Sequence, residues 1–511
     1  MALLRPEAYP HAVRAITLVE THLSWVLLTG DYAYKIKRPV RFAFIDLSTY
    51  ERRAHFCAEE LRLNRRFAPE LYLEVCDIRE SDGLAHIGGK GRLIERCVRM
   101  RQFPERQELD KLLADDRIAP DALAEFGRNL ADIHARLPMA GAEQRWGRPA
   151  LIRSVILENL DEYVRAAAAL DVDHTDWTLR SAFEARLDAA TACMAERRRT
   201  GRVRECHGDL HTRNIVQREG RLIAFDCIEF EPAFRWIDVA EELALLLADL
   251  EARGRPRHAH AFLSGYLARS GDYAACRLLD MYKAHRALVR AKVAALEVAS
   301  ASDERIAKRA RAEHDAHLRG ARSDLASKRP RLILMSGLSG SGKTWLAQRI
   351  APELGAIHVR SDVERKRAAA LAEHATSESA TGAGLYTQEN TAQVYEHLAR
   401  CANDILSGGY SAIVDATFLK RAQRRRFQQL AQQLDVPLQV IQCDAPENIL
   451  RERVMSRQSA GKDASEADLA VLDWQLQNHE RIGAEESLDV AHVETNRADA
   501  VAQAFSVLRK S

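Results

Sequence analysis

Residues 205–230 read ECHGDLHTRNIVQREGRLIAFDCIEF. This stretch decides the fold of the first half of the chain, because it interrupts a run from about 105 to 325 that is otherwise mainly helical in pattern and rich in Ala, Leu and Arg. His207, Gly208, Asp209, His211 and Asn214 follow one another closely, and strand-like LIAFD then delivers Asp226. An ordinary turn capped by Asp and Asn would use some of the same residue types. So many of them in this order, ahead of a strand, mark the place where chemistry sits. His207 and His211 have the i, i+4 spacing of a helical zinc site, but the glycine between them argues against a helix, so they read as structural histidines. Upstream, SWVLLTG (24–30) and YAYKIKRP (32–39) flank Gly30-Asp31 as a hairpin would. A helix follows over about Leu47–Phe67, with Ser48 and Thr49 as cap candidates and Pro69 beyond it; strands return at 71–78 and 93–100.

The order H-G-D-x-x-x-x-N followed by an Asp on the next strand resembles the aminoglycoside phosphotransferase and choline kinase branch of the protein-kinase-like superfamily. The resemblance implies a bilobal kinase-like domain over 1–325, with a small lobe to about 103 and a helical lobe from 104. Phosphoryl transfer needs a carboxylate to orient the attacking hydroxyl and accept its proton, and an amide oxygen plus a second carboxylate to hold Mg²⁺ against the phosphates. By resemblance Asp209 is the base, and Asn214 and Asp226 are the metal ligands. A strand lysine and a helix carboxylate complete such a site. Lys35 is preferred over Lys37 because YAYK resembles the family's strand-lysine pattern, and Glu59 or Glu60 is the carboxylate, Glu60 being the one expected. A solvated charged face is the plainer reading of these residues. RCVRMRQF (96–103) would be the hinge that meets adenine, and WIDVAEE (236–242) would place Asp238 beneath the catalytic loop. The loop reads HGD rather than HRD, and no G-x-G-x-x-G precedes it. Both departures favour a small-molecule acceptor over a protein.

A basic segment ending SKRP leads into a second domain, with a linker at 326–330 and the domain over 331–511. Apolar LILMS precedes GLSGSGKT, and a helix-prone segment follows it. Gly337, Leu338, Ser339, Gly340, Ser341, Gly342, Lys343 and Thr344 fit G-x-x-x-x-G-K-[ST], whose backbone N–H groups wrap phosphates while the Lys reaches the terminal phosphates and the hydroxyl meets Mg²⁺. Strand-like LILMSG, AIHVRSD, SAIVDA and PLQVIQCD alternate with helical segments, so a parallel α/β sheet is expected. AIHVRSDVERKR and SAIVDATF resemble the zeta-toxin, gluconate-kinase and polynucleotide-kinase group. That resemblance implies Asp362 as base, Arg365 as a substrate clamp and Asp415 as the carboxylate near Mg²⁺. Arg453 and Arg457, four apart on one helix face, suit a lid over phosphate charge. The whole chain thus resembles a bacterial fusion of a phosphotransferase-like domain with a P-loop kinase-like domain.

Composition sets the outer limits. At 511 residues there is chain for about three compact units. Lys plus Arg is 75 and Asp plus Glu is 73, a balance unlike that of a nucleic-acid-coating protein. Hydrophobic residues make up 47% and charged residues 29%, which fits neither global disorder nor an integral membrane protein. The nine cysteines include no C-x-x-C pair and the start lacks a signal-peptide pattern, so a cytoplasmic setting without membrane contact is expected. The leading expectation is an ATP- and Mg²⁺-dependent phosphotransferase with two sites acting on small hydroxyl compounds. A regulatory ATP sensor without transfer is one alternative. The other is a toxin-like or nucleic-acid-end kinase, prompted by basic LKRAQRRRF (419–427), although aromatic residues for base stacking are sparse there.

Overall fold

β-Branched and aromatic residues in alternation build the first sheet of the computed structural model, which describes residues 3–42, 45–170, 177–369, 388–460 and 467–508. Strands β1 (Thr17–Glu20), β2 (Ser24–Leu28), β3 (Tyr32–Lys37), β4 (Tyr72–Ser81), β5 (Leu84–Ile87) and β6 (Arg92–Arg101) form an antiparallel sheet in the order β1-β2-β3-β6-β4-β5. The hairpin expected around Gly30 joins β2 to β3, with Leu28 opposite Ala33. Helix α1 (Tyr50–Asn64) starts where the Thr49 side chain accepts from the Arg52 N–H, as a capping residue does. Its buried Cys57 packs with Tyr72, Val98 and Met100 of the sheet and with Val216 and Ile223 of the larger lobe, so one core joins small lobe and catalytic region.

The larger lobe is helical apart from short strand pairs. Strands β7 (Ile215–Arg218) and β8 (Arg221–Ala224) form the hairpin between Asn214 and Asp226. Helix α2 (Val239–Ala252) lies almost wholly buried behind it. This is the bilobal kinase-like fold.

Helix α3 (Pro256–Ser270) and the first turns of α4 (Cys276–Ser300) belong elsewhere. Contacts divide the chain into Met1–Arg255 with Tyr282–Ala321, and Pro256–Met281 with Arg322–Ser511. A linear division at 326–330 therefore differs from the contact division over Pro256–Met281. His260 Nε2 meets the Ala356 carbonyl oxygen at 2.9 Å, and the Tyr273 hydroxyl donates to buried Glu364 at 3.1 Å, which explains where the segment packs.

The second unit carries five parallel strands, β9 (Leu332–Ser336), β10 (Ile357–Arg360), β11 (Ala412–Asp415), β12 (Leu438–Asp444) and β13 (Asp489–Glu494), in the order β10-β11-β9-β12-β13. β9 and β11 are buried at every position, which is why they read as unbroken apolar runs. β13 was not anticipated from the sequence. Its register of Asp489, His492 and Glu494 among small apolar residues is that of an edge strand rather than a core one. Ile333, Met335, Leu346, Ile350, Ile413, Ile441 and Val493 form the core against α5 (Lys343–Leu354).

The ends of these strands prepare a site. In an open parallel sheet, ligands gather beyond the carboxyl ends of the strands. Gly337, Asp362 and Asp415 all emerge there. Among the described residues, no helix is long and apolar enough to cross a membrane.

Candidate active sites

In the first unit, two carboxylates of α2 hold the HGD loop from beneath. Glu242 accepts the His207 N–H at 2.7 Å through Oε1 and the Gly208 N–H at 2.9 Å through Oε2. Asp249, two turns on along the same helix face, accepts from the Thr212 N–H and hydroxyl at 2.9 and 2.6 Å. The sequence pointed instead to Asp238 beneath the loop. Asp238 is occupied by a bidentate pair with Arg197 at 2.8 and 2.7 Å and caps α2 through the Ala240 N–H. Gly208 takes φ +88°, and a Cβ there would sit 2.8 Å from the Phe234 carbonyl oxygen, so only glycine fits.

His207 has both ring nitrogens engaged, in line with the structural reading that the glycine beside it suggested. Its Nε2 lies 2.9 Å from the Phe225 carbonyl oxygen and its Nδ1 accepts the Asp209 N–H, which fixes the ring. Asp209 is the acid at the loop's tip. Asn214 Nδ2 donates to its Oδ2 at 3.1 Å, and His211 Nε2 stands 3.4 Å from the same oxygen. Burial pushes the Asp209 carboxyl up, but the charges of His211, His207 and Arg290 outweigh it and hold the pKa at about 2. The Asn214 carbonyl accepts the Phe225 N–H at 2.9 Å, tying Asn214 to the strand end that presents Asp226. Asp226 takes a left-handed backbone, φ +66°, and its N–H meets the Tyr72 hydroxyl at 3.2 Å.

Lys35 stands between Glu60 Oε1, at 2.7 Å, and Asp226 Oδ1, at 2.5 Å. Burial opposes its charge, yet Asp226 and Glu60 raise its pKa well above the ordinary lysine value. The choices left open in the sequence now part. Glu60 is fully buried among the lysines, while Glu59 turns outward to Arg62 at 2.7 Å. Lys37 also reaches Glu60, at 2.6 Å.

Glu205, just ahead of the loop, had no sequence signal and receives three arginines: Arg62 at 3.0 Å, Arg66 at 2.6 Å and Arg235 at 3.1 Å. Burial raises its carboxyl, but Arg62 and Arg66 prevail and hold the pKa at about 2, against 4.5 when free. A carboxylate depressed on folding stabilises fully above its free value and loses that contribution as pH falls through its folded one. The first unit should therefore lose stability through this group as pH falls from about 5 to about 2. Urea unfolding at pH 7 and pH 4 should show a smaller pH effect in Glu205→Gln than in the wild type; equal slopes would refute the assignment.

In the second unit, the 337–344 loop wraps into the start of α5. Gly337 has φ +139°, and a Cβ there would lie 2.4 Å from the Cys443 carbonyl oxygen. A cavity of about 780 Å³ brings together Lys343, Thr344, Asp362, Asp415, Arg453 and Arg457. Ser339, Gly340 and Gly342 also face it, and Leu338 and Ser341 belong to the same loop behind it. Lys343 Nζ donates to the Leu338 carbonyl at 2.9 Å, and burial lowers its pKa. Thr344 Oγ1 donates to Asp415 Oδ2 at 2.6 Å. Arg365 Nη1 meets Asp362 Oδ1 at 3.3 Å. Arg453 donates to the Gly340 carbonyl at 3.2 Å and to Thr495 Oγ1 at 2.9 Å, whereas Arg457 reaches the Ala467 carbonyl at 2.9 Å.

Two further residues enter from distant sequence. His358 Nε2 lies 3.2 Å from Asp415 Oδ2, and Gln475 Oε1 accepts the Ser339 N–H at 2.8 Å. Neither carries a motif that could have announced it. The donor sets suit a hard cation: Asn214 with Asp226, and Thr344 with Asp415, offer oxygen only.

A kinase-like lobe pair bearing HGD and a parallel sheet bearing a P-loop define a protein of two domains, one phosphotransferase-like and one of the P-loop type. Residues 30–279 match the phosphotransferase enzyme family, and residues 332–482 match an AAA domain family. The chain belongs to the same family as an uncharacterised protein of Mycobacterium tuberculosis (strain ATCC 25618 / H37Rv), to which it is 30% identical over 465 residues, 90% of this chain and 91% of that one. An uncharacterised protein of Mycobacterium bovis matches to the same extent. Among solved structures, a sugar kinase from Janibacter sp. HTCC2649 is 22% identical, with a TM-score of 0.28 over 35% of this chain and 95% of that one. A gluconokinase from Sinorhizobium meliloti 1021 is 21% identical, with a TM-score of 0.25 over 36% and 94%.

Proposed function

We propose that the protein is an ATP-dependent phosphotransferase with two Mg·ATP sites, each moving the γ-phosphoryl group to a hydroxyl of a small-molecule acceptor. The observation that supports this most is the linkage of Glu60, Lys35 and Asp226 by ion pairs of 2.7 and 2.5 Å in the lobe pair that also holds Asp209 and Asn214. Asn214 and Asp226 would hold Mg²⁺ in the first site, and Thr344 and Asp415 in the second. Bound Mg²⁺ supplies charge neutralisation at the phosphates.

The residues do the rest by position and charge. Lys35 grips phosphate oxygens in the first site, steadied by Glu60. Asp209, ionised at neutral pH, accepts a hydrogen bond from the acceptor hydroxyl and aims its oxygen at the γ-phosphorus. As the new O–P bond forms and the bond to the β–γ bridging oxygen breaks, the hydroxyl proton passes to the Asp209 carboxylate and ADP leaves. In the second site the loop N–H groups and Lys343 hold the phosphates. Asp362 takes the hydroxyl proton, and Arg453 and Arg457 cover the charge of the transferring group. All nine cysteines are free thiols, which supports a cytoplasmic setting.

The test is incubation of the purified protein with Mg·ATP and a whole-cell metabolite extract, read by mass spectrometry. A new phosphorylated species should appear, and Lys343→Ala should remove those made by the second site. If neither site produces any species while ATP binds, the transfer reading fails and a nucleotide sensor replaces it.

A further inference from the structure

The first site holds more buried charge than gripping a phosphate requires. Lys37 lies two residues beyond Lys35 on β3 and is 1% exposed. Its ammonium sits 2.6 Å from Glu60 Oε2 and pairs with the Glu229 carboxylate, which is also buried. Glu60 is thereby shared, Oε1 to Lys35 and Oε2 to Lys37. Asp226, Lys35, Glu60, Lys37 and Glu229 thus alternate in sign, and the backbone from Asp226 to Glu229 closes them into a ring. Three acids against two lysines leave one negative charge. The ring's open member is Asp226, whose side chain is 44% exposed while the others are buried or nearly so.

A lysine buried among carboxylates contributes little net stability, since desolvation offsets the attraction; such pairs can instead fix one arrangement among several. What needs fixing here is visible. Asp226 holds a left-handed backbone, uncommon for a residue with a side chain and sustained only where its surroundings impose it. Its turn is pinned on both sides: Asn64 of α1 accepts the Cys227 N–H at 2.9 Å, and Lys37 seizes Glu229 three residues on. The same α1 is tied through Arg62, and the turn that follows it through Arg66, to Glu205 ahead of the HGD loop. Helix, strand lysine and metal-side turn are thus tied to one another.

We propose that Lys37 and Glu229 are positioning residues for phosphoryl transfer in the first site, holding Glu60, and through it Lys35 and the Asp226 turn, in the arrangement that receives Mg·ATP. The inference rests on the reading of that site as a Mg·ATP site. Removing Lys37 orphans Glu60 Oε2 and frees Glu60 to turn away from Lys35. Removing Glu229 releases the far side of the Asp226 turn but leaves the Lys37–Glu60 pair.

Titration calorimetry of the full chain tests this, with Lys343→Ala as parent so that binding reports the first site. Affinity for ATP is measured with Mg²⁺ and with EDTA, and melting temperature is measured alongside. Lys37→Met should weaken Mg·ATP binding by about tenfold or more, the range seen when groups behind a metal ligand are removed. It should weaken Mg²⁺-free ATP binding less. Glu229→Gln, which preserves shape, should show the same pattern more mildly, and it stands in if Lys37→Met does not fold. The variant Lys37→Met/Glu229→Met removes the unpaired buried charge and should recover melting temperature without recovering Mg·ATP affinity. A merely structural role predicts that both recover together, and that result, or unchanged affinity in Glu229→Gln, overturns the proposal. Loss of all ATP binding in the parent overturns the nucleotide reading of the site itself, and this inference with it.

Discussion

Asp209→Asn should slow transfer from the first site by about a hundredfold to ten-thousandfold while Mg·ATP still binds. The substitution keeps size and shape, and Asn214 Nδ2 and His211, which now face Asp209 Oδ2, can address an amide oxygen in its place. What disappears is the negative charge that orients the acceptor hydroxyl and the basic oxygen that receives its proton. In the proposed site the nucleotide and its Mg²⁺ fall to Lys35 and the Asn214–Asp226 pair, which the substitution leaves in place. The measurement is the initial rate at which the first site's phosphorylated product accumulates in metabolite extract, with ATP affinity determined in parallel. A rate within threefold of the wild type would remove Asp209 from the chemistry. Joint loss of rate and affinity would show that it shapes the nucleotide site instead.

Arg424→Ala should destabilise the second unit by about 3–5 kcal/mol, because it leaves a buried carboxylate without its partner. Arg424 belongs to the basic run LKRAQRRRF, yet it is 1% exposed on helix α6 (Arg421–Leu434). Its Nε and Nη2 grip Glu486 at 2.8 and 2.6 Å, and its Nη1 donates to the carbonyls of Phe418 and Glu480 at 2.8 and 3.2 Å. Phe418 itself takes a left-handed backbone, φ +48°, so this guanidinium also secures the turn after β11. Guanidinium-chloride unfolding, followed by loss of nucleotide binding at the Lys343 site, should shift its midpoint strongly downward. Arg424→Leu/Glu486→Leu should recover much of the loss, since no charge is then stranded. A single variant as stable as the wild type would contradict the buried-pair account.

The contrast between Arg424 and its neighbours shows where sequence reading stops. A run of arginines on a helix looks alike at every position, and only the packing of the Glu480–Glu486 segment decides which one turns inward. The HGD loop and GLSGSGKT were legible because the backbone itself makes those sites: glycines at Gly208, Gly337 and Gly342 accept conformations or approaches that no side chain tolerates. Strands β9 and β11 were legible because burial on both faces writes them as apolar runs. Only the resemblance of YAYK favoured Lys35 over Lys37, since residues two apart on a strand share a face, and the molecule uses both on one carboxylate. Glu242, Glu205, Asn64, His358 and Gln475 had no signal, because each acts on a partner dozens of residues away. Asp238 was misplaced for a related reason. WIDVAEE offers three acids within one helical turn of each other, and Arg197, invisible from that segment, decides which is left for the loop.

The segment Pro256–Met281 has a consequence for inheritance. Because it is written between two stretches of the first unit yet packs within the second, the polypeptide passes from one unit to the other three times. A gene fragment opening at residue 331 would encode the P-loop and all five of its strands, but without the helix whose His260 meets Ala356 and the tyrosine that meets Glu364. No single breakpoint in the gene separates two whole modules. Recombination at residue 331 would part the second unit from the helix and the tyrosine that pack within it.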